Sequence, residues 1–99
     1  MLIFRISQTS NREYDTYSSA IIVASGESEA RGIHPQGDLE WNPDRGKWCY
    51  TDDPTVALKR RRVASWSNSW VNPDDVEVEL VGVAHQPGKR ILCASFHAG

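Results

Sequence analysis

The sequence predicts an α+β domain: a small antiparallel sheet of about four strands with one or two short helices on one face, in the order β-β-α-(α)-β-β. Three stretches predict it. Leu2-Ile-Phe-Arg-Ile-Ser7 alternates, with Leu2, Phe4 and Ile6 on one face of a half-buried strand. Ala20 to Ala24 is apolar without alternation and rich in β-branched residues, as befits a strand covered on both faces, and it runs directly into a short helical pattern that ends at Pro35. Val76-Glu-Val-Glu-Leu-Val-Gly-Val83 alternates again at its start.

Taken in order, Gln8 to Tyr14 is polar and suits a connection between the first strand and a second spanning Asp15 to Ala24, the two pairing antiparallel. Ser25 is placed as an N-cap, with Glu27 and Glu29 in the first turn of a helix of about nine residues whose Ala30 and Ile33 face the sheet. Gly32 weakens that helix, so packing must hold it.

Residues 36–69 form an irregular, Trp-containing insert within a single domain of residues 1–99. Trp41, Trp48 and Tyr50 stand among charged residues there, and such aromatics in a free tail would expose large apolar area, so an ordered loop or irregular hairpin is expected. Asp53-Pro54 offers an N-cap and first position for a second helix through Val56, Leu58, Arg60, Val63 and Trp66. The β-branched residues and the run Lys59 to Arg62 leave an edge strand open as the alternative. Asn72-Pro-Asp-Asp75 reads as a turn or a single helical turn. The third strand should point Val76, Val78 and Leu80 inward, and Pro87-Gly88 should reverse the chain so that Ile91 to Phe96 pairs with it.

Hydrophobic residues make up 39% of the 99 residues and charged residues 24%, an ordinary globular balance. A net charge of −2 and a pI near 5.8 exclude the strongly basic footprint of a general nucleic-acid binder without excluding a local basic site. No apolar run approaches the roughly 18 residues that span a bilayer, and the amino terminus enters a strand without a signal-peptide layout, so no membrane partner and a cytoplasmic location are expected. A chain this short buries a modest core and gains from self-association, which makes a homo-oligomer one partner to consider. Cys49 and Cys93 lack the spacing of a zinc site or a disulfide scaffold and read as reduced thiols.

His34, His85 and His97 have no helical i+3 or i+4 companion, so neither a metal nor a cofactor is implied. There is no nucleophile elbow or phosphate loop, and Ser65-Trp-Ser-Asn-Ser69 reads as loop, which points away from an enzyme. Asp52-Asp53 and Asp74-Asp75 read as caps and solvated charges.

The remaining constellation is Lys59, Arg60, Arg61 and Arg62 with Trp48, Tyr50, Trp66 and Trp70. Guanidinium groups grip phosphate and aromatic faces stack on bases, so these eight are the candidate ligand-binding residues. Tryptophan, tyrosine and arginine are also the residues of protein interfaces and, for the indoles, of cores, so packing, a protein interface and an anion site all remain open.

Arg5-Ile-Ser-Gln8, Tyr14-Asp-Thr-Tyr17, Glu29-Ala-Arg31, Ile33-His-Pro35, Asp75-Val-Glu-Val78 with Gly82, and Ile91 to Gly99 together resemble a family of small phage and prophage proteins. No activity is assigned to that family, so the resemblance transfers no site residue. It implies the cytoplasm of an infected or lysogenic bacterium and a non-enzymatic accessory role: countering host defence by capturing a host protein or a nucleotide-like signal. The alternatives are a nucleic-acid-associated protein using Lys59 to Arg62, and a small hydrolase or transferase.

Overall fold

The computed structural model describes residues 1–10, 16–53, 55–64, 70–85 and 88–97, with Phe96 and His97 described by backbone alone. Among these residues, six strands and one α-helix follow in order: β1 (Leu2–Ser7), β2 (Thr16–Ala24), α1 (Glu27–Arg31), β3 (Leu39–Asn42), β4 (Lys47–Tyr50), β5 (Glu77–Val83) and β6 (Arg90–His97). Four of them form an antiparallel sheet in the order β5-β1-β2-β6, and β3 and β4 form a separate hairpin, so the small α+β architecture holds.

β1 and β2 pair antiparallel as expected, with Phe4 opposite Ile22 and Ile6 opposite Ala20. These four side chains are buried, as alternation on β1 and the apolar run of β2 require. Both strands are interior to the sheet, which explains why β2 tolerates an unbroken apolar stretch.

The outer strands correct the expected pairing. β5 and β6 do not form a hairpin; β5 lies antiparallel to β1, and β6 lies antiparallel to β2 at the opposite edge. Pairing them with each other would leave β1 or β2 as an apolar edge. The connection 84–89 can cross the end of the sheet instead: six residues reach about 20 Å, against about 14 Å for three strand spacings. Gly88 sits in that crossing with φ +109, a conformation glycine favours; Pro87 lies outside the described residues. Val76 and Val78 turn toward the core as expected, but Leu80 does not reach it and is 59% exposed.

The helix is shorter than expected, five residues, and Ser25 does not cap it through its hydroxyl. Glu29 instead reaches back so that its Oε1 accepts the Ser25 N–H at 3.0 Å, one residue before the Gly26 N-cap. Ala30 and Ile33 are buried against the sheet. Arg31 pairs with Glu27 at 2.9 Å and donates to the carbonyls of Pro73 and Val76, tying the helix to the start of β5.

The second expected helix is not formed among the described residues. Leu58–Arg60 is a single 3₁₀ turn, and residues 62–64 are extended beside β4: Cys49 bridges Val63, Tyr50 N donates to Arg62 O, and Ala64 N donates to Trp48 O. Branched Val63 and the cations that left a strand open favoured it here. Pro54 and Trp66 lie outside the described residues. Asn72-Pro-Asp-Asp75 supplies the expected short turn, a 3₁₀ segment over Pro73–Asp75.

Candidate functional site

The hairpin is built around one amide. Asn42 ends β3 fully buried, its Oδ1 accepting the N–H groups of Asp44 and Arg45 at 3.0 and 3.2 Å, which forms the turn. Its Nδ2 donates to Leu58 O at 2.7 Å, fastening the 3₁₀ turn to the hairpin. Gly46 completes the loop with φ +62. The basic run is therefore positioned by Asn42, a residue not singled out in the sequence because a buried Asn looks there like any turn Asn.

The alternation of β3 and β4 sends Leu39, Trp41, Trp48 and Tyr50 to one face. Trp48 is 1% exposed and donates from Nε1 to Val71 O at 3.2 Å; Trp70 is 3% exposed. Both indoles flank the buried His34 ring, with centroids 5.1 and 6.5 Å away, and Tyr17 meets the same imidazole edge-on at 5.9 Å. Trp41 packs edge-on against Trp48 at 5.3 Å. Trp48 and Trp70, expected as ligand-stacking residues, are core residues, because the apolar faces of sheet and hairpin need large side chains between them. Trp66 lies outside the described residues, and the Trp70 Nε1 has no partner among those described.

His34 takes a structural place. Its Nδ1 accepts the Gln36 N–H at 3.0 Å, and burial pushes its pKa down from 6.5 to about 4, so the ring is neutral at pH 7. A recess of about 90 Å³ opens beside it, with Ile33, Leu39 and Ile91 as apolar walls and Lys89 and Arg90 among its lining residues. Among the described residues, no carboxylate, hydroxyl or thiol side chain lines it. Among the described residues, no group of three or more His, Cys, Asp and Glu is placed to hold a metal ion. Cys49 and Cys93 are free thiols, the first buried and the second exposed.

The basic run stays at the surface and divides. Arg61 turns to the hairpin, pairing with Glu40 at 2.5 Å and donating to Val56 O, while its own carbonyl accepts from Arg45. Arg62 lies across from Tyr50, its guanidinium 4.2 Å from the ring centroid, and meets Asp52 at 3.4 Å. The adjacent Asp53 has its carboxyl held below the usual range by the Thr55 hydroxyl and N–H. Lys59 and Arg60 are exposed and have no ion pair among the described residues. Of the eight expected ligand residues, Tyr50 and Arg62 thus share one surface strip with Asp52; Arg61 turns to Glu40, which strand alternation puts on the other face of the hairpin; Lys59 and Arg60 are exposed; and Trp48 and Trp70 are buried.

The aromatic–cation pair of Tyr50 and Arg62 is already closed on itself. A stacked base would have to displace Arg62 from Tyr50, and a phosphate at Arg62 would compete with Asp52. Among the described residues, no helix is long and apolar enough to cross a membrane. Comparisons of the chain with protein-family models, with curated proteins and with solved structures each find no match.

Proposed function

We propose that this protein is a non-catalytic, phage-type accessory binder that captures a bacterial host protein through the strip centred on Tyr50 and Arg62, blunting a defence by occupying its component. The observation that carries the reading is the Arg62–Tyr50 stack bordered by Asp52. Tyrosine and arginine anchor protein interfaces, and a surface on which a carboxylate sits beside the guanidinium meets a folded partner better than it meets a polyanion. The resemblance to small phage proteins supports the biological setting. The neutral, enclosed His34 and a recess whose described lining residues include no nucleophile or carboxylate support binding over hydrolysis or group transfer.

A second reading, capture of a nucleotide-like signal, has its own observation: Lys59 and Arg60 are exposed without ion pairs among the described residues. The two separate experimentally. Protein capture predicts a bacterial protein retained from lysate at stoichiometric level and lost on joint Tyr50→Ala and Arg62→Ala substitution. Nucleotide capture predicts a saturable rise in melting temperature with a nucleotide, lost on joint Lys59→Ala and Arg60→Ala substitution. Binding to nucleic acid that weakens steeply with salt would replace both with the nucleic-acid reading.

A further inference from the structure

The hairpin has a second face. Strand alternation turns Glu40, Asn42, Lys47 and Cys49 away from the side that carries Trp41 and Trp48. Asn42 and Cys49 are nonetheless 0% exposed, and Cys49 does not belong to the core cluster that joins the sheet, the helix and Trp48. What reaches this face is the segment 55–62: Leu58 O accepts from Asn42, and the Arg61 guanidinium meets Glu40, the residue opposite Cys49 in the hairpin. The segment roofs the thiol.

The roof is held by polar ties. No residue from 55 to 63 is buried; Val56 and Leu58 are half-buried and Ala57 is exposed. Besides the Asn42 amide and the Glu40–Arg61 pair, Arg45 Nη1 donates to Arg61 O and the Tyr50 N–H donates to Arg62 O, both at 2.9 Å, and the Arg62 side chain meets Tyr50 and Asp52. The two ends have anchors of their own. At one, Asp53 accepts the Thr55 hydroxyl and N–H; at the other, Val63 bridges Cys49 and Ala64 N donates to Trp48 O. A segment with little buried apolar area between two fixed ends opens at a lower free energy than a sheet whose side chains must leave the core together.

We propose that residues 55–62 are a strap that lifts from the hairpin as a unit while the sheet stays folded, baring the Cys49 thiol and parting Arg62 from Tyr50. The Tyr50–Arg62 strip is assembled only when the strap is shut, so a partner held there keeps it shut; that consequence, and it alone, rests on the function proposed above.

Thiol exchange with an aromatic disulfide reagent tests the strap in the Cys93→Ser variant, which leaves Cys49 as the one thiol. Cys49 should react more slowly than in the unfolded chain, at a rate that stays flat with urea below the unfolding transition. Arg61→Ala, which removes the contacts with Glu40 and Val56 O, should raise that rate about tenfold, and Ile6→Val in the sheet should leave it unchanged. In the wild type, the Tyr50 amide should exchange hydrogen by the same urea-insensitive opening, while the amides that pair β1 with β2 wait for global unfolding. A Cys49 rate that climbs with urea from the start and rises with Ile6→Val belongs to global unfolding and overturns the proposal. So does a thiol as reactive as in the unfolded chain, which no strap covers. Should Arg61→Ala fail to fold, a wild-type Tyr50 amide that exchanges only with global unfolding overturns it equally. These measurements use the protein alone, so the strap and the capture of a host protein fail separately.

Discussion

In the four-stranded sheet, Phe4, Ile6, Ala20 and Ile22 reach the interior by strand alternation and need no polar help. Between His34 and Ala64 the interior is assembled differently. Two buried polar side chains, His34 and Asn42, set the turns, and Trp48 fills the space between hairpin and sheet. The first region has many interchangeable apolar contacts, the second a few specific ones. Changes of equal size should therefore be absorbed in the sheet and felt in the hairpin.

The largest effect expected is that of Trp48→Ala, which removes an enclosed indole and its hydrogen bond to Val71. The loss of about 3–5 kcal/mol rivals the whole stability of a domain this small. Urea unfolding should show no cooperative transition, whereas Phe4→Ala, an aromatic truncation in the sheet, should lose about 3 kcal/mol and keep one. Equal effects of the two would erase the contrast. Next comes Asn42→Ala, which strands the Asp44 and Arg45 N–H groups and the Leu58 carbonyl; a loss of about 2–3 kcal/mol is expected in the same assay.

Acid sharpens the comparison further. The His34 pKa falls from 6.5 in the unfolded chain to about 4 in the folded one, so below pH 6.5 the unfolded state takes up a proton that the folded state refuses. Stability should drop by about 2 kcal/mol between pH 7.5 and 5 and stop responding to this group below about pH 4. His34→Asn, whose side-chain oxygen can still accept the Gln36 N–H, should flatten the slope over that window. An unchanged slope would mean the imidazole is not shielded as described. The smallest stability effect belongs to the strip: Arg62→Ala should move the urea midpoint by no more than about 0.5 kcal/mol, because its pair with Asp52 is solvent-exposed.

The same division governs what the sequence revealed. Strand alternation and apolar runs located β1, β2, β5 and β6 to within a residue or so, because those signals are local. The partners of β5 and β6 were not legible: Pro87-Gly88 is a turn signal whether the chain returns beside the strand it left or crosses two others. Residues 54–66 read first as a helix, with an edge strand as the alternative, and over the described part, 55–64, it is Asn42 and β4, both distant in sequence, that hold the chain. At the candidate site the residue types were visible but their sides were not. Trp48 and Tyr50 share a face of β4, yet one lies within the core and the other at its margin under Arg62. A side chain's depth depends on what packs above it, which periodicity alone does not encode.

The claim that the indoles hold the fold while Tyr50 and Arg62 grip a partner is tested most directly by comparing wild type with the joint Tyr50→Ala, Arg62→Ala variant for retention of a bacterial lysate protein, with urea midpoints measured on the same preparations. The account predicts a stoichiometric partner lost in the variant while the midpoint moves by less than about 1 kcal/mol. Undiminished retention by a folded variant would contradict it.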